Sequence, residues 1–315
     1  DLLLDLHPKD FDISTEATPW QIKRLFRNSR IIGRRFRLAH IRFGPRIFEV
    51  STFRAPPRVE DGDDPYIRRD NVFGTEEQDA FRRDFTINAL FYDAEAERVV
   101  DHVGGEADLE ARRLRTIGDA ETRLREDPVR ILRAARFAGR LDFELTPELR
   151  EAAARHAGDL SKSAPPRVLE ELYRLLASRG SAKAFRLLDE LGALRVLLPE
   201  ITPPPDLFYT ALERLDAHSE GDRSRVSHAL LLGVLLSPAA WPLLQKEDEH
   251  DYEGRIGDMI RPIALRMTLA RRDSTGARQA LAAQARLATE PRGRGSHRFV
   301  RREFFRDALL LRRFL

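Results

Sequence analysis

Apolar and polar residues alternate early in the chain, whereas later segments repeat apolar residues at helical spacing. Residues 35–43 and 46–53 alternate around Gly44-Pro45, which predicts two strands joined by a turn. Further along, apolar spacing broken by Gly and Pro predicts helices over 167–178, 181–192, 206–217 and 226–236. Pro203-Pro204-Pro205 marks a stiff connection, so we place a boundary near residue 200. The pattern therefore predicts an α+β chain with its strands first.

The first polar cluster is an Asp-x-Asp near the start of the chain. If residues 10–13 are extended, Asp10 and Asp12 share one face while Phe11 and Ile13 point into a core. Two carboxylates on one face approach closely only when a cation neutralises them, and hard oxygen ligands suit Mg²⁺. Taken alone, the tripeptide is more commonly a solvated Asp-x-Asp at a strand edge or turn.

A further acid lies on the second predicted strand. Glu49 alternates in phase with Ile47 and Phe53, so we expect it on a face that is otherwise buried. It is either a third acid beside the metal pair or the partner of a neighbouring arginine.

The second polar cluster opens a helix or strand whose apolar side contains Phe85 and Phe91. Asp84 and Asn88 are four residues apart, so on a helix they lie on the same face. A carboxylate and an amide there can bind ribose hydroxyls, while the guanidinium of Arg83 can grip a phosphate. The alternative for Arg83 is an ordinary surface charge.

The third cluster is a charged stripe on a helix predicted over 128–140, with Pro128 in its first turn. Its members are Glu126, Asp127, Arg130, Arg133 and Arg136. Such a stripe is usually a salt-bridged, solvated helix face. The functional interpretation is that Asp127 accepts a hydrogen bond from a base amino group while Arg130 donates to a ring nitrogen.

Four sequence runs resemble one enzyme family. KDFD at 9–12, RRDFTINAL at 82–90, DHVGG at 101–105 and REDPVRILRAARFA at 125–138 are similar to motifs of the class II nucleotidyltransferases. This family contains the tRNA CCA-adding enzymes and the bacterial poly(A) polymerases, and belongs to the DNA polymerase beta superfamily. IIGRRFRLAHIRF at 31–43 resembles the signature of the poly(A) polymerase branch.

The resemblance assigns a role to each polar cluster. The expected metal-binding carboxylates are Asp10 and Asp12. The residues expected to bind ribose and phosphates are Arg83, Asp84 and Asn88. The residues expected to contact the base or other parts of the nucleotide are Glu126, Asp127, Arg130, Arg133 and Arg136. Asp84 is also an expected third catalytic acid, with Glu49 as the second candidate for that place.

The family implies template-independent addition of AMP from ATP to RNA 3′ ends, with Mg²⁺ as cofactor and RNA as partner. The alternatives are CCA addition to tRNA and a non-catalytic RNA-binding fragment. Asp1 resembles the last residue of a family motif that cradles triphosphate, so we expect the chain to be a fragment lacking its amino-terminal strand and phosphate loop. The expected parts are a catalytic head with a small mixed or antiparallel sheet at 1–105, then an extended all-helical neck at 106–200 and body at 201–315.

Composition restricts the setting of the protein. The chain has no cysteine, which excludes disulfides and thiolate metal sites and agrees with a cytoplasmic location. No apolar run approaches the ~20 residues of a membrane span, so we expect no membrane partner.

The carboxyl-terminal region is basic, with 15 arginines against 6 acidic residues from Glu253 onward. Guanidinium groups interleaved with aromatic rings suit RNA, because they bind phosphates and stack on bases. The predicted RNA-binding residues are Arg292, Arg294, Arg298, Phe299, Arg301 and Arg302. The alternative is compositional, since the chain contains far more arginine than lysine throughout.

Overall fold

The computed structural model describes residues 2–6, 8, 11–33, 37–55, 72–218, 226–245, 251–288 and 295–315. The chain divides into two units, Asp1–Asp119 and Ala120–Leu315. The first unit contains the sheet, and the second is built mainly from helices, which confirms the α+β class. We call the first unit the head.

The head is built around a four-stranded sheet in the order β1-β4-β3-β2. Strand β1 runs parallel to β4, while β2, β3 and β4 are antiparallel neighbours. The predicted turn joins β3 to β4, and Gly44 adopts φ +58°, which a glycine tolerates without strain. The strands are β1 (Ile13–Thr15), β2 (Ser29–Ile32), β3 (Leu38–Phe43) and β4 (Arg46–Thr52). The other head elements are α1 (Pro19–Leu25), α2 (Glu76–Arg82), β5 (Leu90–Asp93), β6 (Arg98–Asp101), α3 (Gly105–Glu110) and β7 (Arg113–Leu114).

Helix α1 covers one face of this sheet, and on the other face Ile47 and Glu49 are exposed. Ile22 of α1 packs with Ala39, Ile41 and Val50 in a buried cluster. Because strand residues alternate between faces, Glu49 lies on the opposite, open face and is exposed. The expectation that Glu49 shares a buried face is therefore wrong: the residues in phase with it face away from α1.

Strand β1 lies at the edge of the sheet among the described strands. Ile13 is paired with Val50 and so lies on the side that α1 covers, yet it is 42% exposed, and Phe11 is 61% exposed. The prediction that Phe11 and Ile13 are buried in a core is therefore wrong. The physical reason is that an edge strand of three residues has a neighbour on one side only.

Two predicted helix positions also differ from the structure. The segment from Asp84 to Asn88, for which a helix or a strand was predicted, contains an isolated bridge between Phe85 and Thr116 and a short 3₁₀ helix over Thr86–Asn88. The helix predicted from Pro128 begins at Arg130, and Glu126 ends the preceding helix instead of opening this one. Pro128 and its neighbours form the turn between the two helices.

The second unit confirms the helices predicted from apolar spacing, as α7, α8, α10 and α11. Helices α5 and α8 approach closely, since a Cβ on Gly139 would collide with the backbone of Gly180. Within the described residues, no helix is long and apolar enough to cross a bilayer. The elements are α4 (Ala120–Glu126), α5 (Arg130–Leu141), β8 (Glu144–Leu145), α6 (Pro147–His156), α7 (Pro165–Leu176), α8 (Ser181–Glu190), α9 (Ala193–Leu197), α10 (Asp206–His218), α11 (His228–Leu244), α12 (Tyr252–Met267), α13 (Arg271–Leu287), α14 (Gly295–Val300) and α15 (Phe305–Phe314).

Candidate active site

Glu49 lies on the sheet face opposite α1, and the register of β1 on β4 directs Asp12 toward the same face. Ser14 is paired with Ser51, and their hydroxyl oxygens are 3.0 Å apart on this face. Glu49 precedes Ser51 by two residues and so lies on the same face. Asp12 precedes Ser14 by two residues, just before β1 begins, so continuing the parallel register sets it beside Glu49. Adjacent strands are about 4.8 Å apart, which lets two such carboxylates share a ligand.

The described partner of Glu49 is a histidine, whereas one of the two interpretations expected an arginine. His40 lies opposite Glu49 on β3, and its Nε2 is 3.0 Å from Glu49 Oε1. Asp10 lies outside the described residues. Within the described ranges, no group of three His, Asp or Glu side chains is arranged to hold a metal ion.

Arg83, from the second cluster, is oriented by contacts on several sides. Its Nε and Nη2 donate to Asp79 Oδ2 at 3.2 and 3.0 Å, and its Nη1 donates to the carbonyl oxygen of Asn88 at 2.9 Å. Its guanidinium carbon also lies 4.9 Å from the centroid of the Phe91 ring. The side chain is 34% exposed, so part of this fixed guanidinium faces outward.

Asp79 holds the arginines of this cluster. It is almost fully buried, accepts hydrogen bonds from Arg82, Arg83 and the backbone N–H of Arg54, and joins α2 to the end of the sheet. Burial alone would raise the pKa of Asp79, but the hydrogen bonds and positive charge of Arg82 and Arg83 hold this pKa below its usual range.

Asp84 and Asn88 meet through the 3₁₀ turn. Asn88 Nδ2 donates to Asp84 Oδ1 at 3.1 Å, and the same oxygen accepts from the N–H of Phe85 at 2.9 Å. The cluster lies near the carboxyl end of β4, where the ring centroids of Phe53 and Phe91 are 5.6 Å apart. Glu49 precedes Phe53 by four residues on β4. At the rise of a strand, the backbone positions of these two residues are about 13 Å apart.

The third cluster belongs to the second unit. Glu126 accepts from Arg123 at 3.0 Å and from Arg130 at 3.3 Å. Asp127 accepts from Arg167 of α7 at 2.6 Å and from the N–H of Val129 at 3.3 Å. The two residues proposed to recognise a base, Asp127 and Arg130, are therefore each held by neighbouring side chains.

Arg133 and Arg136 converge on one buried acid. Their Nε atoms donate to Glu171 at 3.2 and 3.3 Å, and Arg174 Nη1 donates to it at 3.4 Å. The Glu171 side chain is only 4% exposed, so three guanidinium groups surround one desolvated carboxylate. Burial lowers the pKa of Arg136, and the charge of Glu171 opposes this effect. The stripe is thus anchored to α7 and is not merely a solvated face.

Glu171 and Asp79 were not predicted from the sequence, although one signal was available. Glu171 occupies the same helical stripe as Val168, Leu172 and Leu175, all of which are buried. A charged residue at an apolar position of an amphipathic helix indicates a buried ion pair. Asp79 carries no comparable signal, because its helix is short and strongly charged.

The carboxyl-terminal arginines are only partly described. Arg292 and Arg294 lie outside the described residues, while Arg298, Arg301 and Arg302 are exposed. The ring of Phe299 packs within the protein: its centroid is 5.3 Å from that of Phe305 and 4.3 Å from the Arg286 guanidinium carbon.

Comparison with known proteins gives matches for both units. Residues 1–115 match the family model described as the poly A polymerase head domain, and residues 142–203 match a probable RNA- and SrmB-binding site of polymerase A. Poly(A) polymerase I of Escherichia coli O6:H1 is 43% identical over 262 residues, or 78% of this chain and 56% of that protein. The CCA-adding enzyme of Lactobacillus johnsonii is 36% identical over 194 residues, or 61% of this chain and 48% of that protein.

A solved structure has the same fold. The Bacillus stearothermophilus CCA-adding enzyme in complex with CTP matches with a TM-score of 0.69 and 26% identity, covering 100% of this chain and 71% of that one. The head-domain match and the shared fold place the chain in the nucleotidyltransferase class of families. The chain belongs to the family of poly(A) polymerases and CCA-adding enzymes, which confirms the resemblance. It spans about half the length of the curated relatives it matches.

Proposed function

We propose that the protein is a polynucleotide adenylyltransferase that adds AMP from ATP to RNA 3′ ends without a template. The observation that supports this proposal is the register of β1 on β4, whose continuation to Asp12 would bring this residue beside Glu49. The 43% identity to a poly(A) polymerase supports this branch over CCA addition. In this role the protein would be cytoplasmic, where ATP and transcripts are available.

The donor set of the open face fits a divalent metal such as Mg²⁺. Asp12 and Glu49 supply carboxylate oxygens, the ligands that hard cations prefer, and Asp10 would complete the set. A bound divalent metal would lower the pKa of the RNA 3′ hydroxyl and stabilise charge on the leaving phosphate. This geometry favours Glu49 over Asp84 as the third acid, since Asp84 lies near the carboxyl end of β4 and hydrogen-bonds to Asn88.

The reaction is an in-line displacement at the α-phosphate of ATP. The 3′ oxygen of RNA forms a new ester bond, the bond to the β-phosphate breaks, and pyrophosphate leaves while the hydroxyl loses its proton. The protein contributes mainly alignment and electrostatics. Arg83, fixed by Asp79, presents its outward edge to the phosphates, while Asp84 and Asn88 bind the ribose.

Base selection rests on Asp127 and Arg130. A carboxylate accepts from the amino group of adenine and a guanidinium donates to its ring nitrogen, which excludes guanine and uracil. Cytosine offers the same donor and acceptor, so this pair by itself accepts both ATP and CTP. CCA addition therefore remains the second candidate function.

The decisive experiment separates these two activities. Whole protein is incubated with a short generic RNA or with tRNA, Mg²⁺, and ATP alone or ATP with CTP, and the products are resolved as a ladder. Long A tails on generic RNA support our proposal, whereas a three-nucleotide product on tRNA supports CCA addition. RNA binding without incorporation under any condition indicates a non-catalytic RNA-binding protein.

Two substitutions test the acidic face. Asp12→Asn and Glu49→Gln should each reduce AMP incorporation by at least about 100-fold while sparing RNA binding. Glu95→Gln is the matched control, because Glu95 is an exposed turn residue of the same unit. Normal turnover by Asp12→Asn would refute the catalytic assignment.

One substitution tests base selection. Arg130→Ala should raise UTP incorporation relative to ATP by about 10-fold or more, since it removes a charged hydrogen-bond donor. Arg125→Ala is the control, because the Arg125 side chain is 68% exposed and lies in the same helix-to-helix region. Equal selectivity in the two variants would exclude Arg130 from base recognition.

A further inference from the structure

Among the described residues, one surface of the head carries a group of exposed cations without a described acidic partner. From residue 17 to residue 48 the sequence contains no Asp or Glu. Within the described part of this stretch, no exposed cation forms an ion pair with an acid that the structure describes, in contrast to the paired arginines around Glu171. We call this the head basic surface, defined by Lys23, Arg24, Arg27, Arg30, Arg42 and Arg46.

The fold brings the segment that carries Arg27 against the strand end that carries Arg42. The N–H of Arg42 donates to the carbonyl oxygen of Asn28 at 3.1 Å, which ties the β3 strand end to the segment after α1. The ring centroids of Phe26 and Phe43 are 6.4 Å apart across the same junction. The turn between β3 and β4 therefore lies against the segment that carries Arg27.

Exposed aromatic rings are interleaved with these charges. Trp20 is 55% exposed, Phe43 is 52% exposed and Phe26 is 37% exposed. On α1, Trp20 precedes Lys23 by three residues and Arg24 by four, so the three side chains share one helix face. Rings beside guanidinium groups are the combination that binds unpaired bases and their phosphates together.

The head basic surface also continues onto the open sheet face. The strand register pairs Arg30 with His40 and His40 with Glu49, so these three residues form one row across the sheet. Two strand spacings, about 10 Å, separate Arg30 from Glu49. Arg42 lies two residues along β3 from His40, on the same face.

We propose that the head basic surface binds single-stranded RNA and leads its 3′ end toward the open face that carries Asp12 and Glu49. This inference deepens the proposed function and rests on it for the direction of the strand. The arginines contact successive phosphates, and the exposed rings of Trp20 and Phe43 stack on bases. Single strands fit better than duplex, because stacking on a side chain requires unstacked bases.

The first test measures salt dependence without catalysis. Binding of fluorescein-labelled oligo(A) to the protein is followed by anisotropy in EDTA, without ATP, from about 0.05 to 0.3 M salt. Each phosphate contact to a single strand adds about 0.7 to the magnitude of the negative slope of log K against log salt. The double substitution Arg27→Gln with Arg46→Gln should therefore reduce the magnitude of this slope by about 1.4. This corresponds to about 25-fold weaker binding at about 0.1 M salt.

The matched control removes the same charge elsewhere. Arg98→Gln with Arg261→Gln changes two exposed arginines outside the head basic surface. A slope change in this control equal to that of the Arg27 and Arg46 pair would overturn the proposal, because it would show a general charge effect. A salt slope that is unchanged in both double variants would also overturn the proposal.

The second test asks whether bases approach the rings. The chain has two tryptophans, so Trp241→Phe leaves Trp20 as the sole emitter. Oligo(A) should quench Trp20 fluorescence, whereas inorganic polyphosphate, which has charge but no bases, should quench much less. Unchanged Trp20 emission at saturating RNA would exclude stacking at this surface.

These readouts are separate from the catalytic proposal. Loss of AMP incorporation with normal, surface-dependent RNA binding would refute the proposed enzyme activity and leave this binding site intact. Anionic lipid vesicles provide the competing occupant: if the Arg27 and Arg46 substitutions weaken vesicle binding but not RNA binding, the surface is a membrane contact and our proposal is wrong.

Discussion

Glu171 is the residue whose replacement should most disturb the second unit. It is the shared acceptor of Arg133, Arg136 and Arg174, and its side chain is 4% exposed. Glu171→Gln keeps the shape and one acceptor oxygen but removes the negative charge. The buried guanidinium of Arg136 then remains close to two like charges with no counter-ion from α7.

The size of the effect follows from the exposure of each partner. Removing one member of a buried ion pair costs about 3–5 kcal/mol, whereas an exposed pair contributes about 0–1 kcal/mol. Arg136 is 14% exposed, but Arg133 is 32% and Arg174 is 54% exposed, so water screens part of the repulsion. We therefore expect Glu171→Gln to lower the free energy of unfolding of this unit by about 2–3 kcal/mol.

Urea unfolding of the second unit measures this change. In a Trp20→Phe background, Trp241 on α11 is the remaining tryptophan and reports the second unit. Glu170→Gln is the matched control, since Glu170 is 61% exposed and pairs with the exposed Arg174, so it should change the free energy by less than about 0.5 kcal/mol.

A second variant tests the cause of the destabilisation. Replacing both Glu171 and Arg136 with neutral residues of similar volume, Glu171→Gln with Arg136→Met, should recover part of the lost stability, because no buried charge is left unpaired. If Glu171→Gln unfolds at the same urea concentration as Glu170→Gln, the assignment of Glu171 as the anchor of the arginine stripe is wrong.

Two further predictions concern pH and packing. His156 lies between two carboxylates, and its hydrogen bonds to Asp159 and then Glu121 raise its pKa, so its stabilisation is complete below about pH 6.5 and is lost as pH rises through the raised pKa. His156→Gln should therefore flatten the fall of the urea midpoint above about pH 6.5, and an unchanged pH profile would contradict this. Gly139→Ala should lower the free energy of unfolding by about 1–3 kcal/mol, because its Cβ would meet the carbonyl oxygen at the start of α8, whereas Gly158→Ala, with open space around it, should change it little.

Local sequence patterns predicted where strands and helices form better than they predicted which faces of these elements are buried. Alternation and Gly44 located the β3–β4 hairpin, because a turn with positive φ between alternating strands is a local signal. Alternation could not show which strand face α1 would cover, so Glu49 was expected on the wrong face. The helix predicted to begin at Pro128 likewise begins two residues later, at Arg130. The local pattern could not locate this boundary, because the end of α4 at Glu126 depends on packing and capping.

The sequence by itself determined the order of polar motifs, the change from strand to helical periodicity and hence the family and α+β class. Only the tertiary structure decided that Ser14 meets Ser51 on the face that carries Glu49, that Glu171 anchors the arginine stripe and that Arg42 lies beside the segment after α1. The physical reason is distance along the chain. Glu171 and Arg133 are 38 residues apart, and such long-range ion pairs and strand registers arise only when packing brings their elements together.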